Sequence, residues 1–106
     1  MIPMAQIQDL SNQIAREFSP ERIVLFGSHA RGEPTAESDV DLLVVMPHRG
    51  SGIHAAADIM RRTLPGFPVD FIVRSPEELE RRLEQGDFFL RDVMAEGTVL
   101  YEAPDG

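Results

Sequence analysis

Asp39, Asp41 and Asp70 are the side chains whose type and placement could do chemistry in this chain. Asp39 and Asp41 stand two apart at the head of a Val- and Leu-rich segment, Val40 to Met46, that reads as a strand. Strand side chains alternate between faces, so both carboxylates project to the same side. Two adjacent carboxylates repel, and both stay ionised at neutral pH only with positive charge between them. Divalent cations with oxygen ligands suit that position, and Mg²⁺ favours one or two carboxylates plus substrate phosphates over a full protein cage. Asp70 interrupts an otherwise apolar strand, Val69 to Val73 (VDFIV), where a charge is costly unless paired or bound to metal. If this strand lies beside the Asp39–Asp41 strand, three carboxylates meet. Two metal ions could then be held, one activating an attacking oxygen and the other stabilising a leaving phosphate.

A triphosphate needs its own cradle. Gly27 and Ser28 directly follow a short apolar strand, Arg22 to Phe26 (RIVLF). Glycine allows close approach of backbone to phosphate, and backbone N–H groups with the Ser28 hydroxyl can donate to its oxygens. Arg31 is the nearest cation, and it can equally form a surface ion pair with Glu33 or Glu37. The chain has no lysine, so a Walker A loop is excluded, and no G-x-G-x-x-G follows a strand.

The supporting elements follow from periodicity. Ile7, Leu10, Ile14 and Phe18 predict an amphipathic helix over Met4 to Phe18, ended by Ser19-Pro20. A second helix is expected over Ile53 to Leu64, with Ile53, Ala56, Ile59 or Met60, and Leu64 inward. Ser75, Pro76 and Glu78 mark a capping-box start for a third helix reaching about Gln85. A fourth runs from Asp87 to Ala95 with Gly97 as its C-terminal stop, and Thr98 to Glu102 forms a closing strand. Phe88, Phe89, Leu90, Val93 and Met94 are candidates for its core face, although the neighbours Phe88 and Phe89 cannot both point fully inward. The order implies an α+β fold with helices packed on a small mixed β-sheet, and 106 residues fit one domain, 1–106.

Composition excludes several functions. No cysteine is present, which removes disulfides, thiolate zinc sites and cysteine nucleophiles. His29, His48 and His54 lack paired metal-ligand spacing. No apolar run approaches the ~20 residues of a membrane span, and no signal peptide is evident, so a cytoplasmic location without membrane contact is expected. A net charge of -8 provides no general attraction for nucleic acid, and no direct nucleic-acid binding is expected.

The string LFGSHARG followed by ESDVDLLVV contains Gly27-Ser28, ten residues, then Asp39-Val40-Asp41. It resembles the G-S-x10-D-x-D signature of the DNA polymerase β-like nucleotidyltransferase superfamily, and in particular its minimal nucleotidyltransferase (MNT) family. The resemblance extends over PERIVLFGS, VDFIV and AEGTVLYE, with agreement at Arg31, Gly32, Ser38 and Asp70. It implies a polymerase β-like palm that transfers a nucleoside monophosphate, AMP from Mg-ATP, to a hydroxyl. Asp39 and Asp41 would hold both Mg²⁺ ions, with Mn²⁺ as the alternative metal. Asp70 would complete the site at the nucleophile, and Gly27, Ser28 and Arg31 would bind the nucleotide. Members of the family are commonly antitoxins of HEPN–MNT toxin–antitoxin pairs, which implies a tyrosine of a HEPN ribonuclease toxin as acceptor. Two alternatives stand beside this: a non-catalytic antitoxin acting by contact, and a transferase acting on a small molecule or RNA. A homo-oligomer remains open.

Overall fold

The structure, a computed structural model, describes residues 1–104, so the last two positions of the expected domain lie outside it. Four strands and four helices alternate as α1 (Met4–Phe18), β1 (Arg22–Phe26), β2 (Val40–Val45), α2 (Gly52–Thr63), β3 (Val69–Arg74), α3 (Pro76–Glu84), α4 (Phe88–Glu96) and β4 (Thr98–Glu102). The strands form one mixed sheet in the order β3-β2-β1-β4. β1 is antiparallel to both β2 and β4, whereas β2 and β3 run parallel. The parallel pair requires a crossover, which α2 supplies by packing on β3. The α+β expectation is met.

Both sheet faces are covered, which is why β1 and β2 read as near-continuous apolar runs rather than alternating ones. On one face Ile23, Leu25, Leu42, Val44 and Val73 meet Ile7, Leu10 and Ile14 of α1 and Ala55 and Ile59 of α2. On the other, Val24, Leu43 and Val45 meet Leu79 of α3 and Leu90 and Val93 of α4.

The α2 core face differs from the sequence expectation. Ile53 is 81% exposed and Leu64 78%, and the buried row is Ala55, Ile59 and Thr63. These three follow a strict four-residue spacing, and Thr63 satisfies its hydroxyl by donating to the Ile59 carbonyl oxygen at 2.7 Å. Leu64 already belongs to the left-handed cap, at φ 45°, which turns it away from the sheet. At the third helix, Ser75 Oγ accepts from the Glu78 N–H at 3.1 Å as expected. The Glu78 carboxylate does not complete a reciprocal box but faces Arg74 and Arg81 at 3.8 and 3.9 Å. Phe88 and Phe89 both lie outside the α4 core face, 79% and 49% exposed. Asp87 caps this helix by accepting from the Leu90 N–H at 3.0 Å, which places Leu90 and Val93 inward and the two phenylalanines at the rim.

Candidate functional site

Asp41 and Asp70 fall on the sheet face that α3 and α4 cover only in part. Along β2 the side chains on this face are Asp41, Leu43 and Val45; the last two are buried, while Asp41 is half-buried beyond the helices. In the parallel β2–β3 register Asp41 lies opposite Asp70, so the two share a face. Phe71 on the adjoining position packs into the opposite core. Asp39 lies one residue before β2 rather than within it. A tight turn sets its entry: Ser38 N–H donates to the Thr35 carbonyl at 3.1 Å, and Thr35 N–H donates to Ser38 Oγ at 2.9 Å.

The electrostatics of the trio are visible at Asp41. Its carboxyl is pushed above the usual carboxylate range, first by burial, then by the charges of Asp70 and Asp39; His29 and Arg31 oppose the shift. β3 is an edge strand and Asp70 is exposed, so this residue is both a solvent-facing edge acid and the neighbour of Asp41. Among the described residues no three His, Asp or Glu side chains close into a ready metal cage. The donor set is nonetheless of the right kind for Mg²⁺: hard oxygen ligands, mutually repelling, on an open face where substrate and water can fill the remaining positions.

The turn after β1 adjoins this face. Gly27 carbonyl oxygen accepts from Ala30 and Arg31 N–H, both at 3.1 Å, and Glu33 N–H donates to the Ser28 carbonyl at 3.0 Å. The result is a compact hydrogen-bonded turn rather than a helix, with Ser28 and His29 at its head. Gly27 has φ +77°, and a Cβ there would overlap Asp41 Oδ2. Two independent constraints therefore demand glycine, and both concern the approach of the turn to the carboxylate. Gly27→Ala is expected to add about 1–2 kcal/mol of backbone strain and to displace Asp41. Transfer activity should fall about a hundredfold with the circular-dichroism spectrum unchanged; an Ala variant of full activity would show that the close approach is not needed.

Arg31 projects from this turn, exposed, and makes no ion pair among the described residues, so the alternative of a surface bridge to Glu33 or Glu37 is not formed. His29, to which spacing gave no role, faces Asp41 closely enough to influence its charge, and both its ring nitrogens are shielded without a protein partner. Only its position between Ser28 and Arg31 could have signalled this. Phe26 and Phe89 also escaped sequence reasoning as a pair: their rings meet edge-to-face, with centroids 5.6 Å apart.

The strand-end carboxylates Asp41 and Asp70 thus lie beside the glycine-serine turn. The model of the nucleotidyltransferase domain matches residues 7–100. The chain is also 36% identical over 83 residues to the "Putative protein adenylyltransferase MJ0604" of Methanocaldococcus jannaschii, covering 76% of this chain and 78% of that one. It belongs to the nucleotidyltransferase domain family, and it is a nucleotidyltransferase whose substrate is accordingly a nucleoside triphosphate. The fold is shared with a putative nucleotidyltransferase of Sulfolobus solfataricus, at TM-score 0.63 and 23% identity over 92% of this chain and 78% of that one. It is shared too with a chain of a toxin–antitoxin complex crystallised with AMP-PNP, at TM-score 0.61 and 20% identity over 91% and 73%. No helix of the described residues is long and apolar enough to cross a membrane.

Proposed function

We propose that this chain, acting as one domain in the cytoplasm, transfers AMP from ATP to a hydroxyl of a partner protein, a tyrosine of a HEPN ribonuclease toxin, and thereby serves as its antitoxin. The observation that carries this is the placement of Asp41 opposite Asp70, with Asp39 beside them, against the Gly27-Ser28 turn. Two similarities support the acceptor: the archaeal relative is named a protein adenylyltransferase, and a structural neighbour is a toxin–antitoxin complex holding an ATP analogue.

Asp39, Asp41 and Asp70 would hold the divalent cations, Mg²⁺ or Mn²⁺, and these would neutralise the triphosphate and lower the acceptor hydroxyl's pKa. The chain's own groups do the rest. Ser28 Oγ and the backbone N–H groups after Gly27 hold the β- and γ-phosphates, and Arg31, free of any carboxylate partner among the described residues, adds positive charge. The acceptor oxygen bonds to the α-phosphorus, the bond from that phosphorus to the bridging oxygen breaks, and pyrophosphate leaves. Asp70, exposed at the sheet edge, would complete the metal site nearest the acceptor and help to take the hydroxyl proton.

Labelled ATP, Mg²⁺ and the product of the adjacent gene test the reading. Label should pass to the partner with the wild-type chain and be lost with Asp39→Ala/Asp41→Ala. If no label transfers, yet wild type and the double variant both restrain the toxin, the chain is a binding antitoxin and not this enzyme. Label on a small hydroxylated compound or RNA with no protein partner present would also overturn it.

A further inference from the structure

β3 is an edge strand, and alternate residues of a parallel strand bond to its neighbour. Val40 N–H donates to the Pro68 carbonyl and Met46 N–H to the Arg74 carbonyl, so the even-numbered residues of β3 face β2. Val69, Phe71 and Val73 therefore turn their N–H and C=O groups outward. The Val73 carbonyl accepts from Arg74 Nη1 at 2.9 Å; the others form an unpaired row among the described residues. Along this edge runs a groove of about 260 Å³, with Phe71, Val73 and Arg74 on one side and Gly52, Ile53 and Ala56 of α2 on the other. We propose that the acceptor protein docks here, adding an extended segment as a fifth strand beside β3 and so bringing its hydroxyl to Asp70. This rests on the reading of Asp70 as the carboxylate nearest the acceptor.

In strand addition the main-chain groups of the edge give affinity, and pockets for alternate side chains give specificity. The groove supplies such a pocket. The side chain of Ile53, which the α2 core does not use, becomes an apolar wall for the incoming segment. The edge also carries opposite charges at its two ends. Asp70 stands at one end, opposite Asp41. Arg74 stands at the other, on the same face as Asp70 by strand alternation. It shares Glu78 with Arg81, at 3.8 and 3.9 Å, so two cations there meet one anion. Asp70 and Arg74 are four residues apart, about 13 Å along a strand. The complementary segment therefore carries its acceptor hydroxyl at one position and an acidic side chain four residues away on the same face, with an apolar residue between them. A second copy of this chain is a poorer occupant, because β3 itself, VDFIVR, contains no hydroxyl to bring to the carboxylates and would only cover Asp70.

Amide hydrogen exchange and transfer kinetics, both with the product of the adjacent gene, test this. When that partner is added to the wild-type chain, the amides of Val69, Phe71 and Val73 should gain protection. Those of Asp70, Ile72 and Arg74, already bonded to β2, should stay as they were. Ile53→Glu, at an exposed position, should raise KM for the partner about tenfold and leave KM for ATP unchanged. Arg74→Gln should raise KM for the partner by a smaller factor. Label transfer without protection of the edge amides would overturn strand addition while leaving the transferase reading in place. A wild-type KM for the partner in Ile53→Glu would likewise remove the groove from the acceptor's path. Edge protection that rises with chain concentration in the absence of the partner would assign the edge to a second copy and overturn the proposal. A wild-type chain that neither labels nor binds the partner removes the acceptor reading and its docking edge together.

Discussion

Asp41→Asn is expected to abolish nucleotidyl transfer and, in metal-free buffer at neutral pH, to raise the melting temperature by a few degrees. If Asp41 holds metal as proposed, its loss removes several kcal/mol of transition-state stabilisation, on the order of a thousandfold in rate. The gain in stability has a separate origin. The carboxyl of Asp41 is raised above 3.8 in the folded chain by burial and by Asp70 and Asp39. Between 3.8 and that raised value the folded state binds more protons than the unfolded state. Stability therefore falls as pH rises through this window and stays lower above it. Asparagine keeps the shape and removes the charge. The difference between variant and wild type should be present at neutral pH and vanish below 3.8, where both carboxyl forms are neutral. The effect is kept small by the solvent that reaches the half-buried group. Added Mg²⁺ should raise the wild-type melting temperature and leave the variant unmoved. Melting curves with EDTA and with Mg²⁺ decide the matter: a variant that melts below wild type in EDTA at neutral pH would show that Asp41 is not under electrostatic strain.

Gly97→Ala is expected to be the most destabilising single substitution in the fold outside the apolar core. The backbone of Gly97, φ -72° and ψ 165°, is open to any residue, so conformation is not the obstacle. Space is. A Cβ would stand 2.5 Å from Val24 Cγ1, 2.5 Å from the Val93 carbonyl oxygen and 2.9 Å from the Leu25 carbonyl oxygen. Two of these are backbone atoms, one in the middle of β1, and neither can rotate away. Overpacking of this kind costs about 1–3 kcal/mol, and for a domain of this size each kcal/mol lowers the melting temperature by about 4–8 °C. A thermal melt of the variant checks it. An alanine variant within a degree or two of wild type would mean that α4 slides off β1 without penalty.

Gly97 also illustrates what sequence could and could not supply. A glycine after a helix suggested a C-terminal stop, and the helix does end there, through an extended residue packed against β1. The identity of the residue was legible; the reason for it was tertiary. The bounds of α1, β1 and β4 follow directly from local pattern, because punctuation by Ser19-Pro20 and Gly97 is strong and each segment keeps one period. The inward face of α2 was misjudged because Ile53 and Leu64 are apolar residues at the helix ends, where the capping geometry and not hydrophobicity sets direction. At the site, strand alternation predicts a shared face for Asp39 and Asp41, but β2 begins at Val40, and what the structure shows is Asp39 near enough for its charge to act on Asp41. The position of Asp70 needed strand order and direction, which no local pattern encodes, and the register Asp41 to Asp70 supplies it. The contact of Phe26 with Phe89 was beyond reach for the same reason: it joins the end of β1 to a helix that comes after β3.

The parallel pairing of β2 with β3 has a consequence for how the site comes into being. Gly27, Ser28, Asp39 and Asp41 all belong to the β1–β2 hairpin, a contiguous stretch whose antiparallel strands can meet early. Asp70 arrives only when the chain has passed through α2 and returned to lay β3 alongside, a non-local closure that is intrinsically slower. A partly folded chain can thus possess the Gly27-Ser28 turn and two carboxylates while still lacking the third. The repulsion that Asp70 adds is met only when β3 docks, so that step increases the electrostatic demand already present at Asp41.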